Sequence, residues 1–242
     1  MARRHEDRSF LRSVIRFIAF VACTVLLLSV LLVLPLRWIE PPTTAFMLQD
    51  QSGRIPVLYE WTDWPRLGTT AAVAVVAAED QKFADHFGFD LESIQDSVQE
   101  YGEGASLRGA STITQQVAKN LYLWPGRTFA RKGLEAWFAL LIEVFWTKER
   151  ILEVYLNIAE FGPGLYGIPA ASREYFNKPP AALSNAEAAL LAAVLPNPRR
   201  LDASRPSAYV RERQGWILRH MERMHRESWL TRISQAGSEQ AQ

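Results

Sequence analysis

The stretch "TTAAVAVVAAEDQKF", residues 69–83, decides the fold class. Every residue from Ala71 to Ala78 is Ala or Val, and Glu79 and Asp80 follow directly. A run this long and this rich in Ala reads as a helix that starts at Thr69 or Thr70. It has no polar face, so it needs apolar neighbours around it, and its two carboxylates sit where the apolar run stops.

The pattern stays helical from there on. "STITQQVAKNLYL" can start on Ser111, and "TKERILEVYLNIAEF" on a Thr147 cap. "RKGLEAWFALLIEVFW" carries apolar residues on most faces and is expected to be buried. "LSNAEAALLAAVL" opens with a capping box, Ser184 with Glu187 three residues on. "PSAYVRERQGWILRHMERM" is an amphipathic closing helix, and "SQAGSEQAQ" a polar tail. Before residue 69, "MLQDQSGRIPVLYEW" has a turn signal at Ser52-Gly53 between two apolar stretches, which predicts a strand pair.

Further back, Phe17 to Leu36 is uncharged, "FIAFVACTVLLLSVLLVLPL". That is long enough to cross a hydrocarbon core as a helix. Arg3, Arg4, Arg8, Arg12 and Arg16 precede it, against Glu6 and Asp7, so the positive-inside rule puts the N-terminus in the cytoplasm. A cleaved signal peptide would have a shorter apolar region, about 7–15 residues, and no A-x-A precedes Arg37. An uncleaved single-pass anchor is therefore expected, with the rest of the chain outside the cytoplasm. "EPPTT", residues 40–44, reads as a short stiff exit from the membrane.

The chain has 242 residues and a net charge of +1, a balance that argues against nucleic acid as a partner. Its single cysteine, Cys23, excludes an intramolecular disulfide and a cysteine metal cage. There is no P-loop and no H-E-x-x-H. S-x-x-K and K-T-G are also absent, so serine chemistry of the penicillin-binding type is not encoded. About 190 residues beyond the apolar span suffice for one mainly α domain.

Three stretches can carry chemistry. Glu79 follows a strongly apolar helix, and a carboxylate against apolar walls holds its proton more tightly, as a general acid or base requires. The bland alternative is that Glu79 and Asp80 simply end a helix; His86, a little downstream, reads more readily as a structural hydrogen-bonder. In "GASTITQQVAKN", Gln115 shares a helical face with Lys119, and Gln116 with Asn120. Neutral hydrogen-bonders beside a cation suit a sugar bearing phosphate, or else an ordinary polar helix face. In "GRTFARKGLEAWFALLIE", Arg127, Arg131 and Lys132 precede a long helix, and Arg131 and Glu135 are four apart. Forked guanidinium donors and a helix N-terminus suit phosphate oxygens; solvated charges at a helix start are the alternative.

The segments "EDQKFADHFGFD", "GASTITQQVAKNLYL", "RKGLEAWFALLIEVFWTKERILEVYLN", "FGPGLYGIPAASREYFNK" and "LSNAEAALLAAVLPNP" resemble, in order, the five motifs of the family 51 glycosyltransferases, the peptidoglycan glycosyltransferases. The resemblance is dense from about Val73 to Arg200. Ala110 departs from it, where many members have a second Gly before Ser-Thr. One anchor and no serine-acylation motif make the likeness one to the monofunctional members.

The resemblance implies a mainly α, lysozyme-like glycosyltransferase domain with a small membrane-proximal jaw lobe. It implies polymerisation of lipid II, a disaccharide-peptide on undecaprenyl pyrophosphate, into β-1,4 glycan, with inversion at the anomeric carbon and release of undecaprenyl pyrophosphate. By motif match Glu79 is the catalytic base and Glu135 the second catalytic Glu. Ser111, Thr112, Gln115, Gln116, Lys119, Asn120, Arg127, Arg131 and Lys132 are substrate-binding, in or beside the donor site. A Mg²⁺ or Mn²⁺ near Glu135 is the one cofactor allowed for. Tyr122, Trp124 and Phe129 would keep the site near the lipid surface. Lipid II, the growing glycan chain, membrane lipid and other wall-synthesis and division proteins are the partners implied, at an inner membrane. The expected layout is a cytoplasmic segment 1–16, an anchor 17–36, a linker with short strands 37–68, the glycosyltransferase domain 69–230 and a tail 231–242. Two alternatives stand beside this reading: a membrane-bound lytic glycosidase of lysozyme-like fold, and a non-catalytic scaffold that binds wall glycan.

Overall fold

The structure is a computed structural model that describes residues 2–92, 95, 111–126, 128–226 and 233. Helix α1, Ala2–Val33, carries the apolar span and closes in a 3-10 turn, Leu34–Arg37. The helix long and apolar enough to cross a membrane runs from Arg12 to Arg37. Its apolar side chains face outward, with Phe17, Ile18, Phe20, Leu27, Leu28, Leu31 and Leu32 all exposed. A water-soluble packing would hide such residues; a lipid-facing helix does not need to.

Two short helices follow, α2 (Ala45–Leu48) and α3 (Trp64–Leu67). The central helix α4 is Thr69–Glu79, and Ala71 to Ala77 are all buried. It begins at Gly68, where φ is +80° and an added Cβ would lie 2.7 Å from the Cα of Ala181. Only glycine allows both that conformation and that approach. No threonine side chain caps it. The helix stops at Glu79, short of the Phe83 to which the sequence pattern extends. Asp80 leaves helical geometry (φ −162°, ψ 77°). Its carboxylate binds the backbone N–H of Ile113 at 2.9 Å and the His86 ring at 2.8 Å instead.

Helix α5 (Ile113–Tyr122) starts one residue later than expected. Thr112, not Ser111, is the cap, and its hydroxyl accepts from the Gln115 N–H. Helices α6 (Phe129–Phe145) and α7 (Lys148–Ile158) pack on α5. Thr147 caps α7 as expected, accepting from the Arg150 N–H at 3.2 Å. After α8 (Ile168–Phe176), helix α9 (Asn185–Val194) opens on the complete Ser184–Glu187 capping box. α9 and the closing helix α10 (Ala208–Arg226) both lie against α4.

The expected strand pair does not form within residues 47–61. Met47 belongs to α2. Strand β1, Leu58–Tyr59, pairs in parallel with β3, Leu165–Tyr166, which also pairs antiparallel with β2, Glu160–Gly162. The apolar residues that suggested a hairpin find their partner about a hundred positions on, a distance no local pattern reveals. Residues 55–68, read from sequence as linker, are thereby knit into the helical body, with α3 lying against α7.

Helix α6 also departs from expectation. It buries Arg131, Glu135, Ala139, Leu141, Ile142 and Glu143, while Phe129, Leu134, Leu140 and Val144 stand exposed. Its remaining apolar flank meets α1: the Trp137 indole donates to Ser29 Oγ at 3.1 Å and the Trp146 indole to the Val33 carbonyl at 3.0 Å. Arg37 donates to the Phe145 carbonyl, and Arg150 to the carbonyls of Leu36 and Ile39. The end of α1 is thus fixed to the helical body by named bonds. The mainly α architecture with one apolar helix ahead of it agrees with the lysozyme-like fold that the resemblance implies.

Candidate active site

Glu79 ends α4 with a side chain only 14% exposed. Its Oε2 accepts from the Gln116 amide at 3.0 Å, and its Oε1 from Arg213 Nη2 at 3.2 Å. The Gln116 amide cannot flip freely, because its Oε1 accepts from the buried Tyr155 hydroxyl at 3.0 Å. Burial raises the Glu79 carboxyl above the ordinary carboxylate range; Gln116, Arg213 and Lys119 pull it back down without cancelling that effect. At Glu79 desolvation thus outweighs the neighbouring amide and cations.

Lys119 lies one turn beyond Gln115 on α5, its ammonium 5.5 Å from the centre of the Phe46 ring. Burial lowers its pKa, and the nearby cations Arg131 and Lys132 add to that, while Glu135 and Glu79 oppose it. Among the described residues no hydrogen bond ties the ammonium down, so it stands between the two carboxylates as a donor ready for an anion. Asn120, on the same helix, is buried as well.

Glu135 is 3% exposed and held on both oxygens. Arg131 Nη1 donates to Oε2 at 2.7 Å, and Lys132 Nζ binds Oε1. Lys132 also reaches Ser111 Oγ at 3.2 Å and Gln115 Oε1 at 3.3 Å, so it ties the start of α6 to the start of α5. The structure thus gathers Ser111, Gln115, Lys119, Arg131, Lys132 and Glu135 into one cationic patch. Thr112 faces elsewhere, donating to the Gly88 carbonyl at 2.7 Å while capping α5. Its role in this structure is to hold the loop after α4. Arg127 lies outside the described residues.

A divalent cation at Glu135 does not fit this donor set. Both carboxylate oxygens are taken by cations, and among the described residues no three His, Cys, Asp or Glu side chains gather to hold an ion. Mg²⁺ and Mn²⁺ want oxygen ligands with negative charge to spare, and the only acid here is already neutralised.

His86 is structural, as the sequence favoured. Its ring bonds Asp80, and its carbonyl accepts from Lys148 Nζ at 2.6 Å. Lys148 also pairs with the buried Glu143 at 2.8 Å, which accepts from Thr114 at 2.5 Å. This network locks α5, α6 and the loop after α4 together. The sequence reading missed it, and missed Tyr155 and Arg213. A signal for Arg213 was present: it sits between Val210 and Ile217 on the buried stripe of α10, where a cation needs a partner. Tyr155 likewise interrupts the apolar stripe of α7 with a hydroxyl.

Comparison with known proteins now bears on this geometry. The family model described as Transglycosylase matches residues 55–222. Its first matched residue, Ile55, lies just before β1. Biosynthetic peptidoglycan transglycosylases of Pseudomonas putida and Pseudomonas entomophila are 52% and 51% identical over 211 residues, covering 85% of this chain and 89% of theirs. One from Pseudomonas fluorescens is 49% identical over 214 residues. With the family model matching well over half of the chain and these relatives covered almost end to end, the chain belongs to the transglycosylase family, among the biosynthetic peptidoglycan transglycosylases.

Proposed function

We propose that this chain is a peptidoglycan glycosyltransferase that polymerises lipid II into β-1,4 glycan strands. The observation that carries the reading is the pairing of one desolvated carboxylate, Glu79, with the Lys119–Arg131–Lys132 cationic patch. The donor sugar is α-linked to pyrophosphate and the product is β, so the anomeric carbon inverts. Inversion requires attack from the face opposite the leaving group. Glu79 takes the proton of the acceptor 4-hydroxyl as that oxygen bonds to the anomeric carbon, and the bond from that carbon to the phosphate oxygen breaks. The pyrophosphate leaves with the bonding electrons as an anion and needs no acid. Lys119 and Arg131 hold it by charge-assisted hydrogen bonds. Its arrival also restores to Lys119 the charge stabilisation that burial removes.

The growing glycan, which carries the departing pyrophosphate, sits on the cationic side, and lipid II enters on the Glu79 side. The strand therefore grows at its lipid-linked end. Ser111, Gln115, Gln116 and Asn120 are the proposed sugar contacts in a groove between the two sides. A lytic glycosidase would need no such anion clamp.

The anchor places this groove at the lipid surface. Leu140 and Val144 follow Trp137 on the α6 flank that meets α1, and both are exposed, as are Trp124 and Phe129. The five N-terminal Arg set the N-terminus in the cytoplasm and the catalytic body on the outer face of the inner membrane. There it meets other wall-synthesis and division proteins. Protease added to spheroplasts should digest the body beyond Glu40; full protection would reverse the topology. The test of function is purified full-length protein incubated with labelled lipid II and its products separated by size. A ladder of polymer is expected. Cleavage of preformed glycan with no polymer would assign the hydrolase instead.

A further inference from the structure

Arg213 comes from the last helix, far from the five motif segments that carry the resemblance, yet it reaches the end of α4. Its Nη2 donates to two acceptors there: the Ala78 carbonyl at 3.2 Å and Glu79 Oε1 at 3.2 Å. Its side chain is 23% exposed, and its Nε is buried without a partner. A buried guanidinium with one unmatched donor is retained against a penalty, so its remaining contacts deserve a physical account. One account is purely structural. A cation bound to a terminal carbonyl caps α4 and complements its dipole. The second contact exceeds that account, because a cap does not require a bond to the carboxylate.

We infer that Arg213 is a positioning residue for the general base: with the Tyr155–Gln116 pair, it orients the Glu79 carboxylate and favours its ionised form. This rests on the reading of Glu79 as the base. Oε2 is fixed by Gln116, whose amide is in turn fixed by Tyr155. Oε1 is fixed by Arg213, so the carboxylate plane is set by two helices that approach from different sides, α5 and α10. A base needs a defined lone pair aimed at the acceptor hydroxyl and must be unprotonated when it arrives. A neutral amide supplies direction; the guanidinium supplies charge.

The charged and titratable groups around Glu79 are few. Asp80, the residue that follows α4, turns to His86 and the Ile113 N–H. α5 contributes Lys119, and α7 the Tyr155 hydroxyl, which burial beside Glu79 and Asp80 keeps protonated. α9 contributes no ionisable group there, its one acid, Glu187, being bound by Lys178 and Ser184. Lys119 faces the departing pyrophosphate as well, whereas Arg213 is committed to Glu79. Arg213 thus sets the proton affinity of the base independently of the donor site.

The test compares full-length wild type, Arg213→Gln, Arg213→Lys and Glu79→Gln in lipid II turnover across a pH series, with thermal melting of each. For Arg213→Gln the acid limb of the turnover profile should move to higher pH. Turnover below neutral pH should drop about tenfold and recover as pH rises. Arg213→Lys, which keeps the charge, should return the limb toward wild type even if its melting temperature falls. A uniform loss at every pH, or a lower melting temperature with an unmoved limb in both variants, would reduce Arg213 to a helix cap and overturn the inference. Should Arg213→Gln not fold, an Arg213→Lys limb displaced as far as that of unpaired carboxylates would also overturn it. Wild-type turnover in Glu79→Gln would instead remove the base assignment itself.

Discussion

Helix α4 buries Ala and Val along its whole length and carries its one ionisable side chain at its last residue, Glu79. Helix α6 buries Arg131, Glu135 and Glu143 and leaves Phe129, Leu134, Leu140 and Val144 exposed. Both helices hold these carboxylates largely out of water, Glu79 at 14% and Glu135 at 3% exposure, yet the surroundings differ in kind. Glu79 has a neutral amide on one oxygen and a distant helix's guanidinium on the other. Glu135 has two cations from its own preceding turn, three and four residues back. Burial alone therefore does not decide what a carboxylate does. A desolvated acid with few countercharges is suited to moving a proton, while one neutralised by its own helix is suited to holding those cations in place.

Glu79→Gln should separate the two most widely. Loss of the base should lower turnover on lipid II by about 10²–10⁴-fold. Burial raises the Glu79 pKa, so folding favours its protonated form. That contribution to stability is present at acid pH and is lost as pH rises through the raised pKa. A permanently neutral Gln should thus leave the protein at least as stable as wild type near neutral pH, with the difference shrinking in acid. Melting curves at several pH values check this. Destabilisation by Glu79→Gln would break the contrast, because it would mean that the ionised carboxylate is held as Glu135 is. The same raised pKa predicts that wild-type turnover falls as pH drops through it.

Glu135→Gln should behave in the opposite way and destabilise the fold. It leaves Arg131, whose side chain is 10% exposed, without its carboxylate. Breaking a buried pair on one side costs about 3 kcal/mol, readable in a denaturant titration; Lys132, half exposed, can turn to solvent and soften the effect. An unchanged midpoint would show that α6 does not need its internal neutralisation.

Lys119→Ala and Arg131→Ala sharpen the division between the two sides of the groove. Each should weaken use of the pyrophosphate donor by about 1.5–3 kcal/mol, the range of a hydrogen bond to a charged group. Steady-state kinetics on lipid II measure this, and wild-type kinetics in both would remove the anion clamp. A phosphoglycolipid that mimics the donor should bind Arg131→Ala less tightly and Glu79→Gln almost normally. The reverse would exchange the donor and acceptor sides.

The smallest effect is a control. Ser184→Ala removes the cap of α9, which packs along α4 but carries no catalytic group. It should cost about 1 kcal/mol of stability and leave the turnover profile unmoved. A shifted pH profile would mean that Glu79 senses the packing of α4 as a whole rather than its named partners.

The site was legible in sequence wherever chemistry was local. Arg131 with Glu135 follows from helical spacing, and Glu79 from an apolar run that ends in an acid, whereas the bond of Gln116 to Glu79 joins residues 37 apart and does not. The resemblance gave Thr112 as a substrate contact; in this structure its hydroxyl donates to the Gly88 carbonyl and accepts from the Gln115 N–H, partners no local pattern names together. Arg213 went unread because its partner lies 134 residues away. The strand pairing of Leu58 with Leu165 was hidden for the same reason.

The sequence by itself determined the long apolar helix α1, the order of the helices, their caps at Thr147 and Ser184, and which carboxylate would end the apolar run of α4. These depend on periodicity and on contacts within a few residues, where spacing fixes geometry. The tertiary structure alone decided which side chains surround Glu79, which face of α6 is left open, and where α1 bonds to the body. Those depend on helices far apart in the chain packing side by side, and a cation four residues from an acid differs physically from one brought to it by another helix.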